Sequence, residues 1–343
     1  MVNSKTRDRS AAQVAKRKPT ALAYAVELIY RTCCLAAAPE LIGTTANPAM
    51  AKAIAENDTA ALYDMMVASF SYQGTSDVVA YNYMQRHGAP TWRRIEAELK
   101  QVSCPKLSSY WQFHQCRYEK TSQTCSESGH FGSCPLPTHR LRNGRLNQLA
   151  FSLYLFIRDI AAGDLVGWIN QQLATVPAPA FSTVDRQEAL IGPLRNVYGV
   201  SDKVLAMALS GLLIAGSKQY PAWFEVGVGM VAVDTLVHNF LHRTGILGRF
   251  VASHPYGLHC YRPGGCADIL QVVSRHIDAR QFHSAFPAAF PRFIQSSVWR
   301  YCAITGRAIC NGNRIDDRLS CANIHCQMYS TCDRIPLQNS MLQ

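Results

Sequence analysis

Apolar residues recur at spacings of three and four along most of the chain, the pattern of a helix with one buried face. It runs through residues 21–36, 60–70, 91–102, 146–160, 185–197, 203–215, 234–244 and 267–279. Ile95, Leu99 and Val102 form one such stripe. Two-residue alternation, the mark of a half-buried strand, is nearly absent, so the expected fold class is all-α. Two stretches break the rhythm. Residues 103–145 are dense in Ser, Gly, Pro, Lys and Arg, and residues 248–265 are rich in His, Pro and Gly.

Composition narrows the function classes. The 343 residues leave room for two domains, and 48% hydrophobic content supports a large core. A formal charge of +11 points to a polyanionic partner, either nucleic acid or an anionic membrane surface. No apolar run approaches the ~20 residues of a membrane span, so no membrane-embedded role is expected. Residues 1–18 carry Lys5, Arg7, Arg9, Lys16, Arg17 and Lys18 against Asp8 alone, a loose basic arm rather than a signal peptide. The expected location is intracellular and reducing, cytoplasmic or nucleoid-associated. There, 13 cysteines favour metal-bound thiolates and a few buried thiols over disulfides. Cys33 and Cys34, in an apolar stretch, are expected in the core.

Two segments carry candidate chemistry. Residues 194–209 read LRNVYGVSDKVLAMAL: a helix ends, Gly199, Val200 and Ser201 make a tight turn, and a second helix starts near Asp202. Such a turn presents backbone N–H groups at a helix N-terminus, where they can hold a phosphate. Residues 230–247 read MVAVDTLVHNFLHRTGIL, an apolar run that delivers Asp234 to the start of an amphipathic helix. Taken alone, Asp234 is also an ordinary N-cap and Lys203 a solvated first-turn lysine.

Together these segments resemble the helix-hairpin-helix DNA glycosylases, endonuclease III and its relatives. VYGVSDKVL is similar to that family's LPGVGxKTA, and VDTLVHNFLHR to its VDTHxxRxxNR. Residues 71–77, SYQGTSD, look like its SAQATD. The three matches occur in family order and cover roughly residues 60–250. The resemblance implies two helical domains flanking a DNA-binding cleft. It implies Lys203 as the nucleophile and Asp234 as the catalytic carboxylate. Gln73 would fill the gap left by an extruded base, while Gly199, Val200, Ser201 and Arg243 would join it in binding DNA. The implied activity is excision of a damaged or modified base from double-stranded DNA by a monomer, with strand cleavage through a lysine Schiff base. A glycosylase without lyase activity, and an inactive DNA-structure-binding protein of the same fold, are the alternatives. The chain departs from the pattern at Ser201, at Asp202, whose charge faces an approaching phosphate, and in extra sequence around residues 217–226.

The remaining cysteines fall into sets. The tail reads Cys302-x7-Cys310-x10-Cys321-x4-Cys326-x5-Cys332. Many endonuclease III relatives end in a four-iron, four-sulfur (4Fe-4S) cluster bound by C-x6-C-x2-C-x5-C. That resemblance implies Cys310, Cys321, Cys326 and Cys332 as ligands, with Cys302 competing for the first place and zinc as the alternative metal. Cys104, Cys116, Cys125 and Cys134 lie in a polar, basic stretch and suggest a second site, a small zinc knuckle. Cys260 and Cys266 form a third pair with no assignment. The expected organisation is a basic arm over 1–20, N-terminal helices over 21–59 packing with the C-terminal domain, and a glycosylase core over 60–250. That core carries a Cys-rich insertion at 103–145, and a Cys-rich C-terminal region follows over 251–343.

Overall fold

The computed structural model describes residues 19–37, 47–72, 75, 77–119, 121–127, 134–136, 139–141, 144–176, 183–312 and 315–337. These residues form helices almost throughout. The single sheet among them is a two-stranded antiparallel hairpin, β1 (Tyr118–Glu119) with β2 (Thr124–Cys125). We number the helices of eight residues or more: α1 Ala21–Ala36, α2 Pro48–Ala55, α3 Thr59–Phe70, α4 Asp77–His87, α5 Trp92–Leu99, α6 Arg145–Asp159, α7 Leu165–Ala174, α8 Thr183–Leu194, α9 Asp202–Ala215, α10 Pro221–Gly229, α11 Thr235–Arg243, α12 Cys266–Ser274 and α13 Pro291–Cys302. No helix among the described residues is long and apolar enough to cross a membrane.

Local chemistry sets the helix starts. Thr20, Asn47, Asp58, Asp164 and Asp234 each accept a first-turn N–H with a side-chain oxygen, while α2, α10 and α13 begin with proline. Both devices deal with N–H groups that have no partner inside the helix. Sequence periodicity passes over α4 because three of its apolar residues face outward: Val78, Val79 and Tyr81 are all exposed, while Ala80 is buried. The extra sequence around residues 217–226 becomes α10, which packs along α9. Cys33 is buried as expected, but Cys34 is exposed. Neighbours on a helix point about 100° apart, which turns Cys34 past the edge of the buried face that holds Cys33.

Among the described residues the helices enclose two large hydrophobic cores and a small one of Ala80, Leu141 and Leu146. One large core gathers Ile54, Phe70, Leu149, Phe156, Trp168, Leu194 and Leu209 from α2, α3 and α6–α9. The other joins the chain's two ends: Leu28 and Cys33 of α1 meet Phe240 of α11, Leu270 of α12, Phe293 and Val298 of α13, and Met328. The Tyr24 hydroxyl donates to the Thr244 carbonyl at 2.7 Å and accepts from the Asp333 N–H at 3.1 Å, tying α1 to the cysteine-rich tail. Between α10 and α11 the chain is extended, and its side chains alternate between the cores: Met230 and Ala232 enter the first, Val231 and Val233 the second. Asp234 thus emerges where the two cores meet.

Candidate active site and metal centres

Asp234 caps α11, accepting the Val237 N–H at 2.9 Å. The Trp299 indole of α13 also donates to its carboxylate, and the Lys203 and Arg292 charges both act on it. Burial pushes the carboxyl above its ordinary range. The Val237 N–H, the Lys203 charge and the Trp299 indole oppose that shift without cancelling it. Burial likewise pushes the Arg292 guanidinium down, to about 10, so it stays charged at neutral pH. Asp234 therefore feels two cations in a partly desolvated site. Sequence reading missed Arg292 and Trp299, which share one helix. The spacing of Phe293, Ile294, Val298 and Tyr301 behind Pro291 was the signal for that helix.

Lys203 is the second residue of α9 and is half-buried. The turn before it runs through Gly199 at φ +71°, a left-handed conformation that favours glycine, into Ser201 as N-cap. The Asp202 carboxylate is gripped by the Arg195 guanidinium through two 2.9 Å bonds, and Arg195 also pairs with Glu188. The anion at the hairpin is thus matched by a cation on the preceding turn. Gln73 lies outside the described residues. Arg243, expected at the DNA surface, is only 2% exposed and pairs with Asp317.

Arg243 borders a cavity whose wall includes Cys310, Cys321, Cys326 and Cys332, together with Phe240, Tyr301 and Met328. The Tyr301 hydroxyl lies 3.1 Å from the Cys326 sulfur. Cys302 is fully buried beside Cys310 and does not line the cavity. In the insertion, Cys104, Cys116, Cys125 and Cys134 lie near enough to act on one another electrostatically. Cys125 accepts the Glu127 backbone N–H at 3.4 Å. Burial pushes the Cys104, Cys116 and Cys134 thiols up, the latter two to about 11, and nearby backbone N–H groups only partly oppose that shift.

A third group unites residues that sequence reading left apart. One ligand atom each from His238, His254, Cys260 and Cys266 lies within 4.8 Å of all the others, and such a group could hold a metal ion. The signal was present in His254, Cys260 and Cys266 clustered in a His-, Pro- and Gly-rich stretch. The fourth member, His238, lies inside the segment already given to Asp234.

The chain matches no family model, no curated protein and no solved structure.

Proposed function

We propose that this chain is a helix-hairpin-helix DNA glycosylase with abasic-site lyase activity, in which Lys203 is the nucleophile and Asp234 the carboxylate that serves it. The observation that carries the reading is the electrostatic reach of Lys203 to Asp234, a half-buried carboxylate placed where the two cores join. A carboxylate that burial pushes above its ordinary range while a nearby lysine opposes the shift has the character of a functional group more than of a structural one.

The chemistry assigned to them is as follows. A base extruded from double-stranded DNA enters the site. The Lys203 amine attacks C1′, the bond from C1′ to the base breaks, and the base leaves with the bonding electrons and takes up a proton. The Asp234 carboxylate stabilises the positive charge that develops at C1′ and accepts a proton from the attacking amine. The nitrogen lone pair then forms the C1′=N bond as the C1′–O4′ bond breaks, and O4′ takes the proton that Asp234 accepted; the resulting Schiff base acidifies C2′. Loss of the C2′ proton expels the 3′ phosphate and nicks the strand. Gly199, Val200 and Ser201 place the α9 N-terminus against a backbone phosphate, and Arg195, shared between Asp202 and Glu188, offsets part of the charge that would oppose it. Gln73 is assigned to the gap left by the flipped base. The protein acts on DNA as a monomer.

Two metal centres belong to this reading. The thiols of Cys310, Cys321, Cys326 and Cys332, around one largely apolar cavity, fit a four-iron, four-sulfur cluster, and Arg243 braces its wall. Cys104, Cys116, Cys125 and Cys134 are assigned to a zinc ion that would draw their sulfurs closer together than they stand in this structure. Both would act as staples for segments with little core of their own.

An incision assay on DNA with a single abasic site tests the reading. Cleavage by the intact protein and none by Lys203→Ala is expected. Equal cleavage by both would overturn it.

A further inference from the structure

We propose that His238, His254, Cys260 and Cys266 bind a structural zinc ion, and that this ion fixes the loop that clamps the backbone immediately before Asp234.

The separations between ligand atoms already suit the metal. Cys266 Sγ lies 3.3 Å from His238 Nδ1 and 3.4 Å from His254 Nε2, and Cys260 Sγ lies 3.5 Å from His238 Nδ1. Tetrahedral zinc, with bonds of about 2.3 Å to sulfur and about 2.05 Å to nitrogen, places those atoms roughly 3.5 Å apart. His238, Cys260 and Cys266 are fully buried, so the site is shielded from bulk water. At His254 the second shell is also in place, while His238 Nε2 is buried with no hydrogen-bond partner. His254 Nδ1 lies 2.6 Å from the Ala252 carbonyl oxygen, which fixes the tautomer that turns the Nε2 lone pair toward the ion. Two sulfurs and two nitrogens in a tetrahedron favour zinc, and four protein ligands leave no open position for catalysis.

The surrounding chain shows why an ion is needed. Residues 253–265 contain no α-helix, only a short 3-10 turn at Leu258–Tyr261. At Gly265 a side-chain carbon would sit 2.3 Å from the His259 carbonyl oxygen, so the loop closes more tightly than any other residue permits. Cys266 opens α12 and His238 lies in α11, so one ion would join two helices and the loop between them. Within that loop the Tyr261 hydroxyl donates to the Val233 carbonyl and accepts the Val233 N–H. His238 itself lies one helical turn beyond Asp234. The ion would therefore hold Asp234 from both sides along the chain, through Val233 before it and α11 after it.

Metal binding stands independently of any role for Asp234. The bracing role rests on the catalytic reading above, and the measurements separate the two. Elemental analysis of the full-length protein should show Cys266→Ser with one equivalent of zinc less than wild type and unchanged iron. His254→Cys should keep its zinc. After cobalt replacement it should show stronger thiolate charge-transfer absorption than wild type, because a third sulfur joins the shell; this arm decides the matter if Cys266→Ser does not fold. Equal zinc in wild type and folded Cys266→Ser would overturn the site. So would identical cobalt spectra for wild type and His254→Cys, or a Cys260–Cys266 disulfide in mapped peptides. For the bracing role, His254→Ala should exchange the Val233 amide hydrogen about tenfold faster. Unchanged exchange there, with zinc lost, would overturn that role while leaving the site. Neither readout involves DNA chemistry, so both hold or fail apart from the catalysis assigned to Lys203 and Asp234.

Discussion

The Tyr261 hydroxyl makes two hydrogen bonds to one residue, donating to the Val233 carbonyl at 3.2 Å and accepting its N–H at 2.9 Å. An extended segment between two cores has no ladder partner of its own, and here a phenol takes that place. Tyr261→Phe leaves both backbone groups of Val233 unpaired at a buried position. It should cost about 1–3 kcal/mol in urea unfolding. Single-turnover base excision should fall, because Asp234 follows directly in the chain, while DNA affinity stays near wild type.

The Arg195–Asp202 pair gives a second expectation. Arg195→Ala should weaken binding to undamaged duplex DNA by leaving the Asp202 charge uncompensated at the hairpin. Adding Asp202→Asn should restore most of the affinity. Fluorescence anisotropy at two salt concentrations checks both variants, and the loss should shrink at high salt.

Asp234 carries a pH dependence of definite sign. Burial holds its pKa above the ordinary carboxylate value, so the folded protein favours the protonated acid. Its favourable contribution to stability is full below the unfolded-state pKa of about 3.9 and is lost as pH rises through the higher folded-state value. Asp234→Asn should therefore gain stability relative to wild type as pH rises through that window, read from denaturant midpoints. Excision needs the carboxylate, so its acid limb should lie above the range of an ordinary aspartate. Asp234→Asn should lose excision while keeping its fold and DNA affinity.

Most helices with an apolar stripe toward a core were legible, while α2, α7, α10 and α13, which also face a core, were passed over. Residues 203–215 predict α9 to within a residue of its observed span, Asp202–Ala215. α4 was illegible because its valines face outward. Lys203 and Asp234 were singled out through their motifs. Their proximity was not readable, because it depends on the alternation of residues 230–233 between two cores. Arg292 and Trp299 reach Asp234 from a helix far along the chain, and no local pattern ties them to it. The His/Cys group escaped for the same reason. His238 and Cys266 stand 28 residues apart, without the short paired spacing by which zinc sites are usually recognised.

The two cysteine sets should separate by mutation. Cys332→Ser should remove iron and brown colour while leaving zinc in the insertion. Cys125→Ser should remove one equivalent of zinc and leave iron. Elemental analysis of anaerobically purified protein checks both, and the thermal midpoint should fall in each case because the metal stabilises only the folded chain.

The most direct test of the account is borohydride trapping on abasic-site DNA. A lysine Schiff base reduced in place becomes a stable covalent link between protein and strand. The account predicts a trapped complex with the intact protein, with the link mapped to Lys203 by peptide analysis and absent from Lys203→Ala. Trapping of Lys203→Ala to the same extent as wild type would contradict it.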